Sequence, residues 1–365
     1  MNQQTPKIAL CGVLLADLEL WFERRGEPRY RARQVLDWLY RKRVDEVAGM
    51  TNLPKPTREA LQEAYLFSAL QAVRVTGSKD TTRKFLFRLP DGALIETVLI
   101  PASPALYGSA SDRRTLCVST QVGCAYGCRF CASGLEGWSR NLTSGEIVEQ
   151  ILKVETVTGE RVSNLVFMGM GEPLANYAEV MRAVGIINAG WGIGIGARHI
   201  TLSTSGLAPK IRELADQPLQ VRLAISLHGA TDEVRERIMP VNRKYNLTAL
   251  TEACEYYVSR KKQRLTLEYI LIDGVNAALE HARSLARLAL RLGAKVNLIP
   301  YNTVPDLSWK RPSEAQQQAF YAYLRAQNVD VTIRREKGHD IDAACGQLRL
   351  QTVRAEQGLT RSEAS

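Results

Sequence analysis

Residues 117–134 read CVSTQVGCAYGCRFCASG and hold four of the seven cysteines of a 365-residue chain. Cys124, Cys128 and Cys131 have the spacing C-x3-C-x2-C and follow a strand-like run, "TLCVST" (115–120). Three thiolates on one loop can hold three irons of a 4Fe-4S cluster and leave the fourth iron open to another ligand. Structural zinc is the competing reading, but it takes four ligands, usually as two close pairs. Cys117 could be the fourth, but the second pair is missing. Phe130, just before the last cysteine, suits shielding of a cluster from water and equally suits ordinary packing.

Working outward from the loop, strand-like and helix-like segments alternate. Strand patterns fall at 164–170, 199–205, 221–228, 265–272 and 294–302, with a last one at 330–335. Helical patterns separate most of them, one opening at Thr143 with Glu146 three residues on, the pattern of a capping box. Six βα units are too few for an eightfold barrel, so the expected fold is α/β, a partial (βα)6 barrel. In barrels, polar residues at the C-terminal strand ends converge on one mouth. Here these are Gly169, Gly171 and Glu172 ("MGMGEPL"), Ser203 and Ser205, Ser226 and His228, and Asn302. Glycines let a ligand approach the backbone, and the Glu can accept from an amino group. Singly, each suits a turn or cap, and His228 alone reads as a satisfied structural residue. As a set in register with the cysteine loop they point to one site.

Upstream, the first 75 residues read as helices. "IALCGVLLA" (8–16) has the apolarity of a signal-peptide core, but no small-residue cleavage site follows and Asp17 and Glu19 come at once. Leu10, Val13, Leu14, Leu18 and Trp21 fit a helix face instead. "RYRARQVLDWLYRKR" (29–43) puts Ala32, Val35, Leu36 and Leu39 on one face. Arg29, Arg31, Arg33, Arg41, Lys42 and Arg43 make the rest cationic, either a solvated face or a phosphate contact. "KFLFRLP", "DG" and "ALIETVLIP" (84–101) form a hairpin pattern, and 103–113 a linker. The expected organisation is an N-terminal helical domain (1–75), a β-hairpin extension with linker (76–114), the barrel (115–350) and a polar tail (351–365). The net charge of +10 fits a polyanionic partner or simply a basic surface. No run approaches the roughly 20 apolar residues of a membrane span. Without an export signal the compartment is reducing, so clustered cysteines read as metal or redox groups rather than disulfides.

The cysteine spacing after the first barrel strand resembles the radical S-adenosylmethionine enzymes. "CVSTQVGCAYGCRFC", "NLVFMGMGEPLAN", "TLSTSG", "LAISLH", "NLIPYN" and "DIDAACGQL", in this order, resemble one family among them, the dual-specificity adenine carbon-2 methyltransferases of 23S rRNA and tRNA. The likeness runs to about Leu348. It implies that Cys124, Cys128 and Cys131 bind one 4Fe-4S cluster, and that Gly171, Glu172, Ser203, Ser226, Leu227, His228 and Asn302 line the S-adenosylmethionine site. Two S-adenosylmethionine molecules serve each turnover. The first methylates Cys345, giving S-methylcysteine; the second yields a radical that takes a hydrogen from that methyl. The methylene radical adds to adenine carbon-2, making a protein–RNA adduct. Glu96 is the implied acceptor of the carbon-2 proton, and Cys117 resolves the adduct through a transient disulfide with Cys345. From pattern alone, Cys117 and Cys345 also suit small buried positions, and Glu96 a solvent-facing hairpin position. Cys11 and Cys254 match no motif and read as packing residues.

The implied partners are 23S rRNA, tRNA and an electron donor such as flavodoxin or ferredoxin; a cytoplasmic monomer away from membranes is expected. The basic N-terminal helices would grip RNA phosphates while the barrel mouth receives the base. One local departure is "KDTTRK", where the family more usually has Gly after the Asp. Three alternatives stand beside this reading. One is carbon-8 methylation of the same rRNA adenine, against which Pro300 and Ser205 resemble the carbon-2 group. Another is a radical reaction on a small molecule, which would not need the Cys117–Cys345 pairing. The third is a zinc-stabilised RNA-binding protein.

Overall fold

In the computed structural model, which describes residues 7–78, 81–102, 111–135, 137–302, 307–334, 349 and 352, strands from both halves of the chain join one ten-stranded sheet. The N-terminal layer comprises β1 (Ile8–Ala9), α1 (Leu15–Arg24), α2 (Tyr30–Tyr40), α3 (Lys55–Ala64) and β2 (Tyr65–Leu66), with β1 and β2 paired in parallel. On α2 the four expected positions, Ala32, Val35, Leu36 and Leu39, are all buried. Of the expected helix face Leu10, Val13, Leu14, Leu18 and Trp21, only Leu18 and Trp21 lie within α1, which begins at Leu15, because Leu10–Gly12 is a 3-10 turn pressed against the barrel. A Cβ at Gly12 would lie 2.7 Å from the Gly145 nitrogen, too close for any other residue.

The strands β3 (Gln71–Gly77), β4 (Arg83–Arg88) and β5 (Leu94–Pro101) form an antiparallel meander. The sequence reading missed β3 and stopped the helical region at 75. It also treated the hairpin as an attachment, whereas β5 pairs directly with β6 (Arg114–Cys117) and extends the barrel sheet. Beyond β6, the cysteine loop is framed by β7 (Gln121–Gly123), α4 (Ala132–Leu135) and β8 (Trp138–Asn141), with β7 and β8 paired.

Helices and strands then alternate: α5 (Ser144–Thr158), β9 (Asn164–Phe167), α6 (Tyr177–Asn188), β10 (Ile200–Thr204), α7 (Ala208–Asp216), β11 (Arg222–Ser226), α8 (Asp232–Ile238), α9 (Leu247–Lys261), β12 (Thr266–Leu271), α10 (Leu279–Leu292), β13 (Lys295–Pro300), α11 (Glu314–Ala326) and β14 (Val331–Ile333). The capping box at Thr143 and Glu146 is present. The sheet order is β14-β13-β12-β11-β10-β9-β6-β5-β4-β3, parallel from β6 to β14, as the expected partial (βα)6 barrel requires. Among the described residues no helix is long and apolar enough to cross a membrane.

Strand alternation sorts the side chains into two faces. Leu116, Leu165, Phe167, Leu202, Ile225, Leu267 and Leu298 share the face that packs under the helices. The other face carries Cys117, Ser203, Ser226, Glu268 and Asn297, and the register continues it through Val98 to Lys84 and Glu96. The buried Glu96 and Glu268 and the strand-end serines Ser203 and Ser226 thereby share one face of the sheet.

The cationic helix face is partly spent on holding the molecule together. Arg43 pairs with the buried Glu155 of α5, and Arg41 Nη2 donates to the Gly190 carbonyl at 2.7 Å. Arg31 lies 3.2 Å from Glu27, while Arg29 and Arg33 lie 3.5 and 4.0 Å from Glu19.

Candidate active site

One cavity of about 320 Å³ opens at the C-terminal ends of the parallel strands. Its wall includes the three motif cysteines, Gly171, Glu172, Ser203, Ser205, Ser226, His228 and Asn302. The structure thus brings together the strand-end residues read from the sequence. Leu227 does not join them: its side chain is buried, and its N–H donates to the Glu268 carbonyl at 3.0 Å.

Each wall residue has a local cause. Glu172 closes the turn after β9; its Oε1 accepts from Leu174 N at 3.0 Å and its Oε2 from Ser205 N at 2.6 Å, tying the ends of β9 and β10. Burial raises its pKa, opposed by those N–H donors. Gly171 has φ +99°, and a Cβ there would sit 2.6 Å from the Gln121 side chain. A Cβ on Gly169 would sit 2.6 Å from the Val118 carbonyl. The sequence reading offered approach of a ligand or a tight turn; both glycines line the cavity, and each also lets the chain itself close on β7 and the end of β6. Ser203 and Ser226 hydroxyls lie 3.3 Å apart on adjacent strands.

His228 has φ +56°. Its Nδ1 accepts from Ile270 N at 3.1 Å, which leaves the hydrogen on Nε2. Burial, then the charge of Arg235, lowers its pKa to about 3, so the ring is neutral at ordinary pH. Phe130 meets it edge-on at 4.8 Å. Both readings of His228 are therefore met: it is satisfied structurally and it lines the cavity.

Burial raises the thiol pKa of Cys124 to about 12 and pushes that of Cys128 well up. Thiols held this high would give up their protons to a metal rather than to water, and metal uptake would release protons. Among the described residues no three His, Cys, Asp or Glu side chains stand close enough together to hold one metal ion. The cysteines instead share a wall, which suits a cluster that takes one thiolate per iron. Ser133 and Asn302 also line the cavity, and among the described residues Ser133 Oγ and Asn302 Oδ1 are buried with no hydrogen-bond partner. Unmet polar atoms in a pocket of this size are what a polar cofactor would satisfy.

Cys117 is buried outside this wall, paired with Val98 on one side and Val166 on the other. Glu96, two residues from Val98, shares its face and is a diagonal neighbour. The reading of Glu96 as solvent-facing is corrected: it is 2% exposed. Its Oε2 lies 2.9 Å from Lys84 Nζ, itself fully buried, and its Oε1 accepts from Arg349 N at 2.6 Å. Cys345 lies outside the described residues. Cys11 and Cys254 are buried in the core, as expected.

Three site residues escaped the sequence reading. Lys84 hides in an apolar strand and is visible only as the partner of Glu96. Glu268 lines the cavity, with Oε2 accepting from Asn297 Nδ2 at 2.7 Å and its pKa raised by burial; a lone carboxylate in "LTLEYILI" was the available signal. Arg235 sits in an ordinary polar helix pattern that offers none.

Known proteins match along nearly the whole chain. Residues 118–286 match the radical SAM superfamily, and residues 8–66 match the ribosomal RNA large subunit methyltransferase N-terminal domain. The chain is 54% identical to the "Probable dual-specificity RNA methyltransferase RlmN 3" of Opitutus terrae, covering 98% of each protein. It is 53% identical to the "Probable dual-specificity RNA methyltransferase RlmN" of Akkermansia muciniphila, covering 92% of this chain and 93% of that one. A crystal structure of a radical SAM methyltransferase from Sphaerobacter thermophilus superimposes with a TM-score of 0.87 at 45% identity, covering 93% and 98%. A superfamily match of this kind implies a 4Fe-4S cluster and S-adenosylmethionine, and the thiol wall with its unmet polar atoms fits both. With relatives this similar over almost their entire length, the chain belongs to the RlmN family of dual-specificity RNA methyltransferases, in the radical SAM superfamily.

Proposed function

We propose that the enzyme methylates carbon-2 of adenosine 2503 in 23S rRNA and of adenosine 37 in tRNA, using one 4Fe-4S cluster on Cys124, Cys128 and Cys131 and two S-adenosylmethionine molecules per turnover. When bound, these groups supply one-electron cleavage of a carbon–sulfur bond, with the electron coming from a donor such as flavodoxin or ferredoxin. The protein's own residues do the rest. Gly171, Glu172, Ser203, Ser226, His228 and Asn302 orient the cofactor. The neutral imidazole of His228 offers an Nε2 hydrogen without bringing a second cation to a sulfonium. Cys345 carries the methyl, Cys117 resolves the adduct, and Glu96, held by Lys84, takes the carbon-2 proton.

The observation that carries the methyl-transfer reading is the single sheet face that holds both Cys117 and Glu96, together with the Glu96–Arg349 hydrogen bond, four residues beyond Cys345. Arg29 and Arg33 are exposed, and their loose pairing with Glu19 leaves them available to RNA phosphates. A cytoplasmic, monomeric enzyme acting through its basic N-terminal helices fits these features.

The test uses anaerobically purified enzyme with 23S rRNA and tRNA, followed by mass spectrometry of the digested nucleosides. Wild type should give 2-methyladenosine, Cys345→Ala no product, and Cys117→Ala a trapped protein–RNA adduct. An 8-methyladenosine product, or normal turnover by Cys345→Ala, would overturn the proposal.

A further inference from the structure

Arg235, on α8, is fully buried and donates to three neutral acceptors. Nε reaches the Leu227 carbonyl at 3.2 Å, Nη1 reaches Asn242 Oδ1 at 2.9 Å, and Nη2 bonds the Ser205 carbonyl. Leu227 and Ser205 are the residues just beyond β11 and β10, so one guanidinium joins two strand ends whose neighbours line the cavity. The fold makes room for it with glycines. A Cβ on Gly229 would lie 2.8 Å from Arg235 Cα, and one on Gly206 would lie 3.0 Å from Nη2. The glycines after "SLH" and "STS" are thus explained by Arg235.

The charge is the unusual part. Among the described residues Arg235 forms no ion pair; Asp232 is instead taken up by Asn242 Nδ2 and Leu247 N, at 2.9 and 2.8 Å. Arginine keeps its proton in a protein, and a buried cation without a counter-ion is costly. α8 lies against the cysteine loop: Arg129 N, directly after Cys128, donates to the carbonyl of Ile238, close to one helical turn beyond Arg235, at 3.0 Å, and of the charges acting in favour of the guanidinium that of Cys128 comes first.

Building on the radical SAM reading above, we propose that Arg235 is a positioning residue with two duties: its fork fixes the ends of β10 and β11, and its charge balances the thiolate of Cys128 once the loop holds its cluster. A cation beside an iron–sulfur cluster favours the reduced, more negative state, so removing it makes reduction harder.

The experiment uses the full chain with its cluster assembled anaerobically and measures the cluster midpoint potential by redox titration, together with S-adenosylmethionine affinity. Arg235→Lys keeps charge and loses the fork; it should hold the wild-type potential while weakening cofactor binding about tenfold, the loss of one net charge-assisted hydrogen bond. Arg235→Met loses both, and its potential should move to more negative values. A third variant keeps the arginine and its fold: Asp232→Asn with Asn242→Asp exchanges amide and carboxylate, placing a negative charge on the guanidinium. Its potential should also move negative with cofactor affinity retained, and this carries the test if Arg235→Met does not fold. Wild-type potentials in both the Met variant and the exchanged variant would overturn the counter-charge, and unchanged cofactor affinity in Arg235→Lys would overturn the fork. A wild-type chain that assembles no cluster would instead overturn the functional reading beneath it.

Discussion

His228 holds three positions at once. Its N–H donates to the Glu268 carbonyl, its own carbonyl accepts from Asn276 Nδ2 at 2.7 Å, and its ring accepts from Ile270. Its pKa of about 3 lies below the ordinary value near 6.5. Between those two pH values the unfolded chain binds a proton that the folded chain refuses. Stability from this residue is therefore complete above about pH 6.5 and falls as pH drops, by up to ~1.4 kcal/mol per pH unit. His228→Asn is the useful comparison, because Asn tolerates φ +56° and has an oxygen for Ile270 N. In urea unfolding at pH 7.5, 6 and 5, the wild-type advantage should shrink steadily toward pH 5. Parallel curves for the two proteins would show that the ring is not buried neutral. The residue was legible as a site candidate through its strand-end position, whereas its hydrogen-bond partners were not. Those partners come from β12 and the turn after it, some forty residues away, and no local pattern announces them. The same holds for Arg235, whose three acceptors come from three separate segments.

At the scale of elements, the parallel strands were legible because each is a short apolar run bounded by polar strand ends, and the helices because their apolar positions recur at helical spacing. What escaped were the elements whose apolar residues face outward or are few. β3 is an exposed edge strand, with Val73 and Val75 both more than 40% exposed, so it lacks the half-buried alternation that marks a strand. The turn after β3 also contains the departure from the family pattern. Ser78 N donates to the Thr82 carbonyl, and Thr81 N to the Ser78 carbonyl, which closes the loop with Thr81 at φ +67°. A β-branched residue in the left-handed region costs roughly 1–2 kcal/mol, while Gly adopts it freely at some cost in unfolded-state entropy. Thr81→Gly should therefore stabilise the protein by about 0.5–1 kcal/mol and raise Tm by roughly 1–3 °C. Thr81→Ala, which keeps the unfavourable φ, should not. Equal Tm values for the Gly and Ala variants in a thermal melt would rule out backbone strain as the cause.

For the whole molecule, the question is what fixes the N-terminal helices against the barrel. Charge of this kind is read from sequence as a possible RNA surface, because only the positive partner is visible there; its acidic counterpart is more than a hundred residues away. Glu155, 5% exposed at its side chain, receives Arg43 on one oxygen and Val162 N at 2.8 Å on the other. Arg182 adds a second tie, donating to the Gly12 carbonyl at 3.0 Å and to Asp17 at 2.7 Å. Breaking a buried pair by removing one partner leaves a charge stranded, at about 3–5 kcal/mol, whereas removing both charges together is much milder. Arg43→Met should thus lower stability by about 3 kcal/mol, and adding Glu155→Gln to it should restore a large part of the loss. A double-mutant cycle in urea measures the coupling directly. If the two losses simply add, the pair is not what docks the layers. If they couple as expected while 23S rRNA binding by the double variant stays at the wild-type level, Arg43 serves the fold, and the phosphate contacts belong to the exposed Arg29 and Arg33 at the start of α2.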